Sequence, residues 1–227
     1  GVYVAPGSGQ PGSTGTVVIR GKTTVSGSTH PLWVIDGVIV GNSPGSLNPA
    51  DIETMTILKD AASTAIYGSQ GSNGVIVVTT KNPTADKLKI DFSAKGGITN
   101  LNRGNLRVMN GAELYDYYRT FSNQEAILFP RWNENLRNSD FSWWDLASQT
   151  GVVQEYNLTL SGGTEKIRSM MSVGMYDETG AVKGYDYTRY NLLYKADYRP
   201  FDWLTINPFL SGSRRDIDNQ QYSVGAM

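Results

Sequence analysis

The 227-residue sequence contains no cysteine and a single histidine, His30. The first absence excludes a disulfide framework and any thiolate-held metal. The second leaves His30 as the only imidazole base for a catalytic triad, and no Gly-x-Ser-x-Gly elbow surrounds a serine nucleophile. His30 stands directly before Pro31, where a loop histidine is the plainer reading. Charge is scarce too: 18% of residues are charged, against about a quarter in an average globular domain, and the net charge is −1. That balance points to no nucleic acid or anionic surface as partner. No apolar run reaches the roughly 18 residues of a membrane-crossing helix. The chain opens on Gly1-Val2 without the basic and apolar regions of a signal peptide.

Glycine (25) and tyrosine (13) are plentiful, and 39% of residues are hydrophobic. Many glycines and aromatics with few charges point to β-structure with abundant turns. The sequence divides into two parts. Residues 1–82 read as short strands: 16–20, Leu32–Ile35 and 38–40, the last two joined by the hairpin signal Asp36-Gly37. Asn48-Pro49 marks a turn before a strand over Ile52–Leu58. Asp60 is a candidate N-cap for an Ala-rich helix over 61–67, which Gly68 would close. Gly74 then opens a β-branched run over 75–80 that suits a strand buried on both faces. This order describes a compact α+β unit.

After Lys81-Asn82-Pro83 the pattern lengthens. Over residues 188–199, Thr188, Tyr190, Leu192, Tyr194, Ala196 and Tyr198 share one face, and Arg189, Asn191, Leu193, Lys195, Asp197 and Arg199 the other. Alternation of that length, with aromatics at both ends of the apolar face, suits a tilted strand crossing a bilayer; strands of soluble sandwiches are about half as long. Similar segments are expected over 89–97, 153–162, 167–176 and 204–213. The connections alternate: 98–152 is long, with a helix expected at Gly111–Phe121; 163–166 and 200–203 are tight; 177–187 is intermediate. Short turns on one side and long loops on the other is the outer-membrane barrel rule.

Several motifs invite chemistry and lose to plainer readings. Gly68-Ser69-Gln70-Gly71-Ser72-Asn73-Gly74 is superficially like a phosphate loop, but it follows a helix and precedes a strand, the reverse of the order that aims phosphate at a helix N-terminus. Asp51, Glu53 and Asp60 could offer a glycosidase carboxylate pair, yet Asp51 follows Pro49 in a turn and Asp60 is placed for capping. Asp177-Glu178 and Asp216-Ile217-Asp218 lack the EF-hand order and read as solvated loop charges. Trp132, Trp143 and Trp144, preceded by Tyr115, Tyr117 and Tyr118, are candidates for stacking on an imported ligand. Packing of the loop itself, or an outer aromatic belt, is the favoured account of these rings. No enzyme, metal site or cofactor is expected.

Three motif blocks carry a resemblance: Pro31-Leu32-Trp33-Val34-Ile35-Asp36-Gly37; Leu47-Asn48-Pro49-Ala50-Asp51-Ile52-Glu53; and Ile57-Leu58-Lys59-Asp60-Ala61-Ala62-Ser63, continuing through Ala65-Ile66-Tyr67-Gly68 and Asn73-Gly74-Val75-Ile76 to Thr79-Thr80-Lys81. In order and spacing they resemble the plug of SusC/RagA-family TonB-dependent transporters. Gly1-Val2 and Val17-Val18-Ile19-Arg20-Gly21 upstream are similar to the same plug, and Tyr156-Asn157-Leu158-Thr159-Leu160-Ser161-Gly162-Gly163 and Asp202-Trp203-Leu204 resemble its early barrel strands. The positions singled out are Arg20, Asp36, Gly37, Asp51, Lys59, Asp60, Tyr67, Gly68, Asn73 and Gly74.

The resemblance implies an α+β plug domain (1–82) followed by antiparallel transmembrane β-barrel strands (83–227), the N-terminal portion of a barrel of about 22 strands. Five candidate strands would leave bare edges and could not seal a membrane, so a piece of a longer receptor is expected. The implied activity is TonB-dependent import of a glycan or peptide across the outer membrane of a Gram-negative bacterium, in the resemblance's terms one of the Bacteroidota. The implied partners are a SusD-like lipoprotein lid, the TonB–ExbB–ExbD complex and outer-membrane lipid, with a dimer of transporter–lid pairs as assembly. The alternative is a non-transporting binding or signalling module, or a surface adhesin.

Overall fold

The computed structural model describes residues 2–19, 29–44, 47–84, 87–105, 107–121, 138 and 142–219. Strands β1 (Val2–Ala5) and β2 (Thr16–Ile19) pair antiparallel. Next come β3 (Leu32–Ile35) and β4 (Val38–Gly41), joined by Asp36 and Gly37 at φ 48° and 84°. Two consecutive left-handed residues make the type I′ turn that Asp-Gly favours. Asn48 caps the 3-10 turn Pro49–Asp51, its Oδ1 accepting the Ala50 N–H at 3.1 Å, and β5 (Ile52–Leu58) follows.

The helix expected over 61–67 is shorter and tighter. Only α1 (Ala61–Thr64) is α-helical, and a 3-10 segment, Ala65–Gly71, continues it through a break at Gly68 (φ 58°, ψ −145°). Asp60 holds the N-cap backbone conformation, but its carboxylate caps nothing. Its carbonyl instead accepts the Thr64 N–H and the hydroxyls of Ser63 and Thr64. The first helical bond is therefore made, and the added back-bonding of the two hydroxyls to the same turn bends and weakens a helix.

β6 (Val75–Thr80) runs parallel to β3 and antiparallel to β5, giving a four-stranded sheet in the order β4-β3-β6-β5. In-register pairing of β3 with β6 sorts their side chains by face. Trp33, Ile76 and Val78 pack with Ile19 on one face, and Leu32, Val34 and Val75 pack with Leu58 and Tyr67 on the other. Covered on both sides, β6 is apolar through most of its length, as its unbroken β-branched run predicts.

The remaining strands, all longer except β11, are β7 (Lys89–Thr99), then, after α2 (Gly111–Phe121) and α3 (Trp143–Ala147) within the long connection, β8 (Gly151–Gly163), β9 (Ile167–Thr179), β10 (Tyr185–Phe201), β11 (Leu204–Ile206) and β12 (Phe209–Asn219). They form one antiparallel sheet, β7-β8-β9-β10, with β11 and β12 both on the far edge of β10. Two expectations change here. The intermediate connection over 177–187 shrinks to residues 180–184, because β9 and β10 stay paired up to Thr179 and Asp186. The strand expected over 204–213 is split at Asn207-Pro208, where proline has no N–H to give the ladder; its carbonyl still accepts the Ala196 N–H at 3.1 Å.

Candidate functional site

Burial in the long-stranded sheet is inverted relative to an ordinary soluble sheet. On β10, Tyr190 and Tyr198 are 45% and 43% exposed, whereas Asn191 and Lys195 on the opposite face are 8% and 9% exposed. The register carries this across the strands. Phe92, Leu158, Val173 and Leu192 form one outward row, and Ile90, Leu160, Met171, Tyr194 and Leu210 another. Near the tight turn after β10, Phe201 stacks on Trp203 at 5.6 Å and 5°, beyond the apolar rows. From Tyr190 to Tyr198 the band spans about 27 Å along the strand at roughly 3.4 Å per residue, the span of a tilted membrane strand.

The polar face turns inward, onto the four-stranded unit. Among the described residues, polar contacts at four sheet side chains, Lys195, Asn157, Ser172 and Ser161, join them, each drawn from the pattern that leaves small or polar side chains inside. Lys195 Nζ lies 2.9 Å from Asp36 Oδ2 and 3.4 Å from the Thr80 carbonyl. Asn48 Nδ2 donates to Asn157 Oδ1 at 2.7 Å. The Ser172 hydroxyl donates to Asp51 Oδ1. The Thr84 N–H donates to the Ser161 hydroxyl at 3.2 Å. These partners occupy three successive inward rows, containing Asn157, Ser172 and Lys195 in turn. Gly174, in the Asn157 row, leaves room for this hydrogen bond: a Cβ there would lie 2.4 Å from Asn48 Nδ2 and 2.8 Å from Asn157 Oδ1 and would displace both side-chain amides.

The two seam carboxylates are pushed in opposite directions. Burial opposes ionisation of Asp36, but the Thr80 hydroxyl and amide, both donating to it, and the nearby Lys195 ammonium outweigh that and hold the group below its ordinary value. At Asp51 burial wins over the Ser172 hydrogen bond and the Lys81 charge, and the group is raised. The arrangement positions and holds; among the described residues no group of three or more His, Asp or Glu side chains could hold a metal.

Of the residues singled out from sequence, the seam brings together Asp36, with Gly37 in its turn, and Asp51. The others lie elsewhere. Tyr67 packs under β3 and β6. Gly68 breaks the helix, Gly74 (φ 94°) opens β6 directly after Asn73, and Lys59 and Asp60 are exposed beside α1. Arg20 and Trp132 lie outside the described residues. Trp143 opens α3. Trp144 is half-buried, with the Arg103 guanidinium 6.0 Å from its ring centre. α3 is fastened to the 180–184 connection by Lys183, whose amide and ammonium each donate at 2.9 Å, to the Ala147 and Leu146 carbonyls respectively. Asn48, Asn157, Ser172, Gly174 and Lys195 were not singled out; the available signal was the polar face opposite the aromatic stripe.

Residues 1–75 match the family model of the TonB-dependent Receptor Plug Domain. The chain is 34% identical over 230 residues to TonB-dependent receptor P39 of Formosa agariphila, covering 99% of this chain and 21% of that protein. It is 32% identical over 242 residues to TonB-dependent receptor SusC of Bacteroides thetaiotaomicron, covering 100% and 23%. Among solved structures it is similar to the RagAB peptide importer in the closed-closed state, with TM-score 0.82, 26% identity, and coverage of 98% of this chain and 28% of that one. The chain thus spans about a fifth of the length of the curated relatives it matches.

Proposed function

The chain belongs to the SusC/RagA-like TonB-dependent receptors, and from that premise we propose that it serves TonB-dependent import of a nutrient across the outer membrane. In this reading residues 1–82 are the plug and 83–227 supply barrel strands and a long extracellular connection. The observation that carries the proposal is the inverted sheet: an apolar band outward, a polar face inward, and a compact unit seated on the polar face. Lipid is the solvent that rewards the first, and a plug that must move rewards the second. A secreted adhesin or soluble signalling module would expose that band to water, which disfavours the alternative.

The finer parts of the proposal concern cargo and partners. The likeness to an importer of peptides and to SusC supports a lipoprotein lid of the SusD type, the TonB–ExbB–ExbD complex as energy source, and a peptide or glycan as cargo. Trp132, Trp143 and Trp144 remain the proposed cargo-facing candidates in the long connection, although Arg103 over Trp144 supports a packing role for that ring. The test is uptake of labelled oligopeptides and oligosaccharides by cells with the full receptor, without it, and without TonB. Uptake that requires both receptor and TonB is expected; uptake indifferent to either would overturn the proposal.

A further inference from the structure

The inward face of the sheet carries its charges in rows. One row, from β7 to β12, holds Lys95, Glu155, Tyr176, Arg189 and Arg215. Lys95 is paired with Glu155 at 3.3 Å, as Lys195 is with Asp36 further along β10. Arg189 and Arg215 stand directly opposite each other, and among the described residues neither is in an ion pair. Arg215 is exposed on the edge strand, but Arg189 has a described strand on either side. Its guanidinium lies 5.5 Å from the Tyr176 ring centre, and its Nε is buried without a hydrogen-bond acceptor. The carboxylates of this row and the next are engaged elsewhere. Glu155 also accepts Asn157 Nδ2 at 2.9 Å, and Glu178 accepts the Tyr176 hydroxyl at 3.0 Å. The compact unit meets the rows on either side of this one. Asn48 reaches Asn157 on one side; on the other the β1–β2 connection covers Tyr187, leaving no room for a Cβ at Gly12. In the arginine row itself, among the described residues, no hydrogen bond or ion pair comes from the unit.

Resting on the import reading, we propose that Arg189 and Arg215 form a binding site for a carboxylate of the cargo. Two like charges directly opposite on neighbouring strands destabilise a sheet, and a guanidinium N–H shut off from water without an acceptor adds to that cost. One anion between the two arginines turns their repulsion into a shared attraction. The guanidinium presents its donors as a rigid planar fork that matches the two oxygens of a carboxylate. Held over the Tyr176 ring by a cation–π contact, the Arg189 fork is positioned before a ligand arrives. A peptide offers this chemistry at its C-terminus and on acidic side chains, and a glycan offers it on uronate sugars. A neutral sugar has nothing to set against two cations.

The test uses cells carrying the full receptor and two matched pairs of labelled probes. One pair is an oligopeptide without acidic side chains, with its C-terminus free or amidated. The other is an oligouronate, free or as its neutral methyl ester. For at least one pair, TonB-dependent uptake of the acid should half-saturate at a concentration about tenfold below that of its neutral partner. The pair that shows the difference identifies the source as peptide or acidic glycan. Arg189→Gln with Arg215→Gln should bring the acid to the level of its neutral partner. If that variant takes up neither partner, Arg189→Lys with Arg215→Lys decides, since it keeps both charges and loses both forks: a reduced preference for the acid supports the site and an undiminished one overturns it. No preference for either acid in the unaltered receptor, or a preference that survives both glutamine substitutions, overturns the carboxylate site and leaves the import reading intact. No TonB-dependent uptake of these probes, or of mixed oligopeptides and oligosaccharides, overturns the import reading and the site with it.

Discussion

The four-stranded unit and the long-stranded sheet use similar residues to opposite ends. Val34, at the centre of the unit, is 1% exposed, whereas Leu192, at the centre of the sheet, is 37% exposed. In the unit the apolar side chains of β3 and β6 face each other's cover and squeeze water out on both faces. In the sheet the larger share of the apolar side chains, Leu158, Val173, Leu192 and Tyr194 among them, is turned away from the protein, and Asn157, Ser172 and Lys195 face it beside the buried Met170 and Leu193. Strand propensity is the same in both, so it cannot decide which face is inside. The solvent decides: water for one region, lipid for the other.

That contrast can be broken at either end. The largest effect is expected from Trp33→Ala, which empties the core shared with Ile19 and Ile76 and should destabilise the unit by about 3–5 kcal/mol, read as early protease cleavage of the unit within a surviving sheet. Lys195→Met should follow, at about 3 kcal/mol, because it strands the Asp36 carboxylate in a largely buried seam; Asp36→Asn added to it should recover most of the loss in urea unfolding of the full receptor. Leu158→Arg should cost about 2–3 kcal/mol for receptor refolded into bilayers. If Leu158→Arg were silent there, the outward face would not be a lipid face.

Gly174→Ala should cost about 1–3 kcal/mol by pushing Asn48 off the sheet. Gly97→Ala, with open space around it, should change stability by less than about 0.5 kcal/mol, and equal effects would refute the close approach. The smallest effect sharpens the seam's electrostatics. Asp36, with its pKa depressed below 3.8, contributes stability that is present above that value and lost as pH falls through its folded pKa. Asp51, raised above 3.8, contributes stability present below that value and lost as pH rises through its folded pKa. Carboxyl titration followed by NMR should therefore find Asp36 titrating at the lower pH, and the reverse order would refute the assignment.

The sequence made the elements legible where local chemistry governs. Asp36-Gly37 announced its turn because two left-handed residues are needed there, and β3, β5 and α2 lie where periodicity and turn signals place them. It failed where pairing overrides local signals. Asp186 and Tyr187 read as loop, yet they sit in β10 because Thr179 and Glu178 oppose them. At Pro208 the strand pattern was apparent but the missing N–H interrupts it. The helix after Asp60 was overestimated because Ser63 and Thr64 bind back to the backbone. The seam was the least legible part. Asn191 and Lys195 could be seen opposite an aromatic stripe, but the partners of such residues lie far off in the chain, 109 positions for Asn48 with Asn157 and 121 for Asp51 with Ser172. Alternation tells which side chains share a face and is silent on what that face meets.

The stacked rings of Phe201 and Trp203 have a consequence for the ion pair above them. Trp203 is 80% exposed beside a tight turn, where aromatic rings settle at the boundary between headgroups and hydrocarbon. Lys195 lies six residues before Phe201 on β10, about 20 Å along the strand at roughly 3.3 Å per residue. With a tilt of about 40° this is about 15 Å of depth, half of a hydrocarbon layer roughly 30 Å thick. An ammonium and a carboxylate thus stand at the level of the bilayer midplane, one strand's thickness from lipid. At that depth a lone charge would polarise a medium with almost nothing to answer it, so the pairing of Lys195 with Asp36 also conceals a charge from the membrane, and any motion that parts them must supply water to both.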